Sequence, residues 1–317
     1  MFGIVELGLC VPPARMSASS ISAASGVPIE FFTDKMQLAS KPVAQGRRCV
    51  ELALEAIDDL RARHPFASDS IDLLVYASTG LTDHALWSPA GKIQAAIGAK
   101  GAFCFELSNG CNSLNAALHV IKGLMLATSS YRRALLICAD TLSSYVDHTD
   151  PGSKSLFNFA DAASALLCDR YAPSLHVLSS AFATDGTYVD LYKLPRGAST
   201  IVTEPCTAEV SLHDQYLHYI TRLVGQVLDE ANLRARDIDY LFMNQGDQRV
   251  LREVLARFGL SESQSYLSFR DYGHLGSTDT ALALADGLRT KRLRPGQRVV
   301  VVSSGVGFSW GASLIQV

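Results

Sequence analysis

Residues 49–79 and 215–246 follow one plan, and that repeat limits the possible folds more than any other feature. The first stretch reads as an amphipathic helix (ELALEAIDDLRARH), a polar turn and the strand IDLLVYAS. The second reads as the helix LHYITRLVGQVLDEANL, the linker RARD and the strand IDYLFMNQ. A further pair follows at the same offset of about 165 residues: AALHVIKGLMLATSSYRRALLICAD (116–140) against ALALADGLRTKRLRPGQRVVVVSSG (281–305). Each is a helix, a basic turn and an apolar strand. Short periods build solenoids, whereas one duplication at half the chain length means two similar halves packed together. The halves are placed at 1–168 and 169–317. Strands such as ALLICA (134–139) and VVVVSS (299–304) are apolar along their whole length, so both faces are expected to be buried under helices. Two such α/β halves predict a five-layered stack, and a hydrophobic content of 48% over 317 residues supplies the core it needs. Active sites in such sheets lie at strand C-terminal ends and helix starts. The stretch 188–213 fits no regular period and is expected to cross between the halves near that cleft.

The 28 Lys and Arg are scattered and the net charge is −3, so no basic stripe points to nucleic acid. No run reaches 18 apolar residues, so no membrane span is expected. The N-terminus, MFGIVELGLCVPP, has no basic region before its apolar run and reads as a first strand, not a signal peptide. Seven cysteines without CxxC spacing predict reduced thiols in a cytoplasm and no metal site.

One cysteine differs from the rest. Cys111 lies where a small-residue turn feeds into an apolar helix, FELSNGCNSLNAALHVIKGLML (105–126). A thiol there meets unpaired backbone N–H groups and the positive end of the helix dipole, and both favour the nucleophilic anion. Three more segments stand at equivalent strand ends: MNQGDQRV (243–250), DYGHLGSTDT (271–280) and SSGVGFSWGAS (303–313). Together they offer a thiol, the amide of Asn244, the imidazole of His274 and a glycine-rich turn. That set suits acyl transfer from a thioester. Cysteine takes the acyl group, histidine moves a proton, and amides with backbone N–H groups hold the oxyanion. Asp279, five residues after His274, and Asp247, three after Asn244, are both candidates to orient the imidazole. Asp279 also fits the first turn of a helix.

These segments resemble the β-ketoacyl-ACP synthase III branch of the thiolase superfamily, over nearly the whole chain and in the same order. KIQAAIGAKGAFCFELSNGC (92–111) is similar to the approach to that family's nucleophile, and LFNFADAASALL (156–167) to its FGDGAGA stretch. MNQGDQRV resembles PHQAN-R, YGHLGSTD resembles GNTSAAS, and GVGFSWGAS resembles GGGFTWGS. The resemblance implies a thiolase-like αβαβα fold and a homodimer with the nucleophile loop near its interface. It also implies acyl-CoA or acyl-ACP as co-substrate, with no tightly bound cofactor. It makes Cys111 the acyl acceptor, with its own N–H and that of Gly307 as the oxyanion hole. Arg249, Lys35 and Lys41 become candidates for the carrier's phosphates, together with Arg47 and Arg48. His84, Trp87, Leu114, Phe157 and Phe308 are candidates for the pocket wall, as is Leu81.

Two departures matter. The family's histidine is Asn244 here and its asparagine is His274, so amide and imidazole have exchanged places. At position 274 the imidazole is placed to act as a general base on an alcohol, an amine or a Cα–H. The family's early tryptophan is also replaced, by Phe31 or Phe32. The expected function is therefore transfer of an acyl group from Cys111 to a second substrate, by Claisen-type C–C formation or to oxygen or nitrogen, in a specialised biosynthetic pathway. A non-catalytic partner subunit of a heteromeric complex is the alternative, and retention of the cysteine weighs against it.

Overall fold

The computed structural model describes all residues, 1–317. The first half runs β1 (Gly3–Cys10), β2 (Arg15–Ser17), α1 (Ala18–Ser25), β3 (Ser40–Pro42), α2 (Cys49–Arg63), β4 (Leu73–Ser78), α3 (Pro89–Ile97), β5 (Phe103–Ser108), α4 (Ser113–Ala127), β6 (Arg133–Thr141) and β7 (Asp161–Asp169). The second runs β8 (His176–Thr184), β9 (Tyr192–Lys193), β10 (Val202–Thr203), α5 (Leu212–Glu230), β11 (Tyr240–Met243), α6 (Gln248–Arg257), α7 (Phe269–Tyr272), α8 (Asp279–Arg289), β12 (Arg298–Gly305) and β13 (Ser309–Gln316). The repeat is visible in these bounds, with α2, β4, α4 and β6 recurring as α5, β11, α8 and β12. The proposed division at 168/169 falls at the end of β7, before the link to β8.

The strand order is β11-β12-β13-β8-β1-β7-β6-β4-β5. The middle joint is a single pairing, Gly3 with His176, so the ladder is two sheets meeting at one edge. Parallel pairs (β4 with β5 and β6, β11 with β12) lie at the outer ends, and antiparallel pairs join β6, β7 and β1.

Alternation along each strand produces the layers. Leu73, Val75 and Ala77 of β4 and Leu136 and Cys138 of β6 face inward, as do Val299 and Val301 of β12 and Phe242 of β11. All pack against Leu114, Leu118 and Ile121 of α4 and Ala281 and Leu284 of α8. The intervening Leu74, Tyr76, Leu135 and Ile137 face Leu52, Ala56 and Leu60 of α2. Val300, Val302 and Leu314 face α5 and α6 through Ile220, Val224, Leu251 and Val254. Buried α4 and α8 thus form the middle of an αβαβα sandwich, the arrangement expected from strands apolar on both faces. No helix is long and apolar enough to cross a membrane. Before α5 begins at Leu212, the 188–213 segment carries the end of a 3-10 turn (Gly186–Leu191) and the β9–β10 hairpin.

Candidate active site

The central layer brings the ends of α4 and α8 together, one from each half. Strand β5 turns at Asn109-Gly110, with Gly110 at φ 57°, and α4 starts two residues after Cys111. Ser113 pins that turn by accepting from the Asn109 N–H (2.8 Å) and donating toward the Ser78 carbonyl (2.7 Å). The glycine-rich turn after β12 lies directly behind the nucleophile. Ser303 donates to the Cys111 carbonyl (2.9 Å). A methyl group built on Gly305 would sit 2.4 Å from Asn109 O and 2.8 Å from Cys111 N, so only glycine fits this crossing. Gly305→Ala should therefore displace the turn. It is expected to cut acyl-enzyme formation by about 10²-fold, as a misplaced reacting group does. Single-turnover labelling measures this, and wild-type kinetics would contradict the packing argument.

His274 stands between α7 and α8. Its backbone is held on both sides, by its own N–H to Asn158 O (2.8 Å) and by the Ala160 N–H to its carbonyl (2.9 Å). The preceding Gly273, at φ 61°, faces Asn158 O, which a methyl group would approach to 2.4 Å. Further along the loop, Asp140 of β6 accepts from Ser277 N (2.9 Å) and from Thr79 N (2.9 Å), tying the histidine loop to the first half.

The side chains then form a line. His274 Nε2 lies 3.1 Å from Cys111 Sγ, and His274 Nδ1 lies 2.5 Å from Asp279 Oδ2. Asp279 also accepts from the Gln245 N–H (2.8 Å) and the Leu275 N–H (2.9 Å), and it opens α8, where the helix dipole favours a carboxylate. All three groups are buried, with Cys111 6%, His274 4% and Asp279 2% exposed. Burial alone would lower the imidazole's affinity for a proton. An anionic Cys111 and the Asp279 carboxylate outweigh it and raise the His274 pKa well above its ordinary value. The geometry thus places the imidazole between the sulfur and a carboxylate, where it can take the thiol's proton and stand beside the anion that forms.

Of the two carboxylates named from the sequence, the structure pairs Asp279 with the imidazole. Asp247 caps α6 and binds Arg249, to its N–H (2.8 Å) and its guanidinium (2.9 Å). Arg249 is exposed at that helix start. The Asn244 amide is occupied on both sides by Ser304, donating to its carbonyl (3.2 Å) and accepting from its N–H (3.1 Å). Gly307 follows the turn packed on Cys111 and has φ 146°, a conformation suited to glycine. Phe308 packs among Tyr188, Tyr192 and Tyr216. Phe157 stacks between Phe32 and His148, one residue before the segment that holds His274.

Several sequence-based assignments need correction. Leu114 belongs to the central core between the sheets, because its position on α4 faces inward. His84 and Trp87 lie on a surface loop, their rings edge to face at 5.0 Å, with His84 exposed and Trp87 against the outer α2–α3 layer. Asp83 anchors that loop on the start of α2, accepting from Cys49 N (2.8 Å). Leu81 lies on the same loop, half-buried. Lys41 is 0% exposed and so is not on the surface that a carrier's phosphates would meet. Lys35 is exposed. The backbone donors of Gln245 and Leu275, and the pairing of Asn158 and Ala160 with His274, were missed from the sequence. Main-chain N–H groups carry no residue signature; the proximity of MNQGDQRV and YGHLGSTD to one site was the available clue.

The chain is similar to known proteins in both sequence and fold. The family model of 3-oxoacyl-[acyl-carrier-protein] synthase III matches residues 105–186, and its C-terminal model matches residues 228–317. The chain is 26% identical over 321 residues to β-ketoacyl-[acyl-carrier-protein] synthase III of Chlamydia caviae, covering 98% of this chain and 95% of the relative. It is 29% identical over 324 residues to that of Symbiobacterium thermophilum, covering 98% and 96%. Its fold matches 3-oxoacyl-[acyl-carrier-protein] synthase III of Aquifex aeolicus, with TM-score 0.90 at 18% identity over 100% of both chains. It also matches Xanthomonas campestris OleA solved with lauric acid and lauroyl-CoA, with TM-score 0.89 at 14% identity over 100% and 99%.

Proposed function

Because the chain belongs to the 3-oxoacyl-[acyl-carrier-protein] synthase III family and is an acyl-transferring enzyme of the thiolase fold, we propose that Cys111 takes an acyl group from acyl-CoA or acyl-ACP and passes it to an oxygen or nitrogen nucleophile. The observation that carries this reading is the buried Cys111–His274–Asp279 line, at 3.1 and 2.5 Å. In the first step the sulfur anion attacks the thioester carbonyl, the carrier's C–S bond breaks, and the imidazolium protonates the departing carrier thiol. The N–H groups of Cys111 and Gly307 serve as oxyanion donors. Acylation removes the sulfur's negative charge, a principal influence holding the proton on His274, so the imidazole is left ready to accept one. In the second step the acceptor's O–H or N–H gives its proton to Nε2 and its heteroatom bonds to the acyl carbon. The C–S bond then breaks to restore the ion pair.

Decarboxylative condensation draws on two neutral donors aimed at one carbonyl. Here the Asn244 carbonyl and one of its two N–H bonds are engaged by Ser304, and the imidazole is backed by a carboxylate, which makes it a base. The exchange of imidazole and amide therefore supports a role in a specialised pathway over primary chain initiation. The isolated acyl-enzyme, offered alcohols, amines and a malonyl thioester in turn, is expected to yield ester or amide without release of CO₂. Product formed only from the malonyl thioester, with CO₂, would overturn the reading.

Asp279→Asn should lose one of the two acceptor oxygens that hold the Gln245 and Leu275 N–H groups, and weaken the imidazole as a base. Transfer is expected to fall by about 10²–10⁴-fold, the range for losing general-base assistance, with the acyl-enzyme accumulating. Rapid quench measures it, and unchanged transfer would remove Asp279 from the mechanism.

We also infer a homodimer. The edge strand β5 leads into the nucleophile turn and leaves Phe103 54% exposed, with one ladder edge unpaired. Sedimentation should give twice the 34.2 kDa chain mass, and a monomer at micromolar concentration would refute this.

A further inference from the structure

Lys41 is the one lysine or arginine that is buried, and it makes no ion pair. The neighbouring carboxylate, Asp161, is already occupied by Ala44 N (2.6 Å) and by the N–H (2.8 Å) and hydroxyl (2.5 Å) of Ser143. Lys41 Nζ donates instead to the Phe159 carbonyl (2.6 Å) and to His148 Nε2 (2.8 Å). Burial, reinforced by the Lys41 charge, holds His148 down to about 4, so its ring is neutral and free to accept. Phe159 is the middle residue of the segment that pairs with His274, and its ring meets the imidazole edge to face at 5.6 Å.

We propose that Lys41 is a positioning residue: by gripping the Phe159 carbonyl it holds segment 158–160, and with it the His274 imidazole, in line with the Cys111 sulfur. The proposal rests on the functional reading above for the role of His274. A buried ammonium with no carboxylate in direct contact costs stability that an apolar side chain would not, so its presence behind His274 calls for a use. Burial drives the Lys41 pKa down to about 7, opposed by Asp161. Near neutral pH the group therefore alternates between a charge-assisted donor and a weaker neutral one. The ionisable groups on the elements packed against it are Asp161 from β7, Asp147 and His148 from the loop after β6, Arg15 from β2, and Arg270 and Asp271 from α7.

Iodoacetamide tests this without any acyl donor, because the Cys111 anion displaces iodide at a rate set by its imidazolium partner. Peptide mass spectrometry follows Cys111 alone. Lys41→Met, folded by circular dichroism, is expected to alkylate about tenfold more slowly than wild type near pH 6 through loss of alignment. Lys41→Arg, charged at every pH used, should return the rate to within a few-fold and lack the inflection near neutrality that wild type shows. A Lys41→Met protein with the wild-type rate and pH profile overturns the proposal. Should that variant not fold, wild type and Lys41→Arg decide between themselves, and the same inflection in both overturns it. Parallel incubation with acetyl-CoA separates the two ideas. No adduct on wild-type Cys111 would sink the functional reading and leave the alkylation result standing.

Discussion

Cys111→Ala should give a folded protein that forms no covalent adduct with any acyl thioester, and its turnover should fall by about 10⁴-fold or more. The side chain is small and occupies a turn held by other residues, Ser113 and Gly305 among them, so the fold does not depend on the sulfur. Four of the six other cysteines provide the internal control. Cys10, Cys49, Cys138 and Cys168 are buried, with pKa values pushed up by burial, which keeps them protonated and unreactive. Intact mass spectrometry after incubation with acyl-CoA should show one added acyl group in wild type and none in the variant. An adduct persisting in Cys111→Ala would remove the nucleophile assignment and everything built on it.

His274→Ala should separate the two half-reactions. Acylation is expected to slow, because the sulfur loses its ion-pair partner, and to recover as pH rises and solution deprotonates the thiol. Transfer to the acceptor should drop by about 10²–10⁴-fold at every pH, because no other base lies on the sulfur. The sign of the pH dependence follows from the cause of the shift. In the unacylated protein the His274 pKa is raised, so the imidazolium persists above the ordinary histidine range. Once the sulfur is acylated, its negative charge is gone and burial opposes Asp279 alone. The rising limb of the transfer rate should then lie at lower pH than the titration of His274 in the free protein. Single-turnover kinetics on wild type should show that limb and His274→Ala should lack it. A variant that transfers at the wild-type rate would mean another group takes the proton.

Much of this was legible from residue order alone. The duplication is preserved in period and polarity, because each half needs the same helix and strand faces to close on the shared middle layer. Cys111 was legible because a turn of small residues before an apolar helix has few other uses. His274 and Asp279 were legible as candidates, but Asp247 was an equal competitor on spacing. Its diversion to Arg249 depends on where α6 begins in space. The pocket assignments fared worse for one reason. His84, Trp87 and Leu114 were named as residues whose tertiary placement sets the pocket, and sequence does not fix which way a loop leaves a strand or which face of a helix turns inward.

Lys41 marks the boundary most clearly. In sequence it is a lysine among polar residues, and such residues are usually solvated. In three dimensions β3 is covered by the 146–150 loop, β7 and α7, and the same side chain becomes a buried donor behind the base. Periodicity and local chemistry determined the layers, the duplication and the choice of Cys111 as candidate nucleophile, because those follow from neighbours a few residues apart. The contacts of His274 with Cys111 and Phe159 were decided only when the halves closed, and that of Lys41 with Phe159 only when the first half folded. Side chains more than a hundred positions apart become hydrogen-bond partners through packing, which no local pattern encodes.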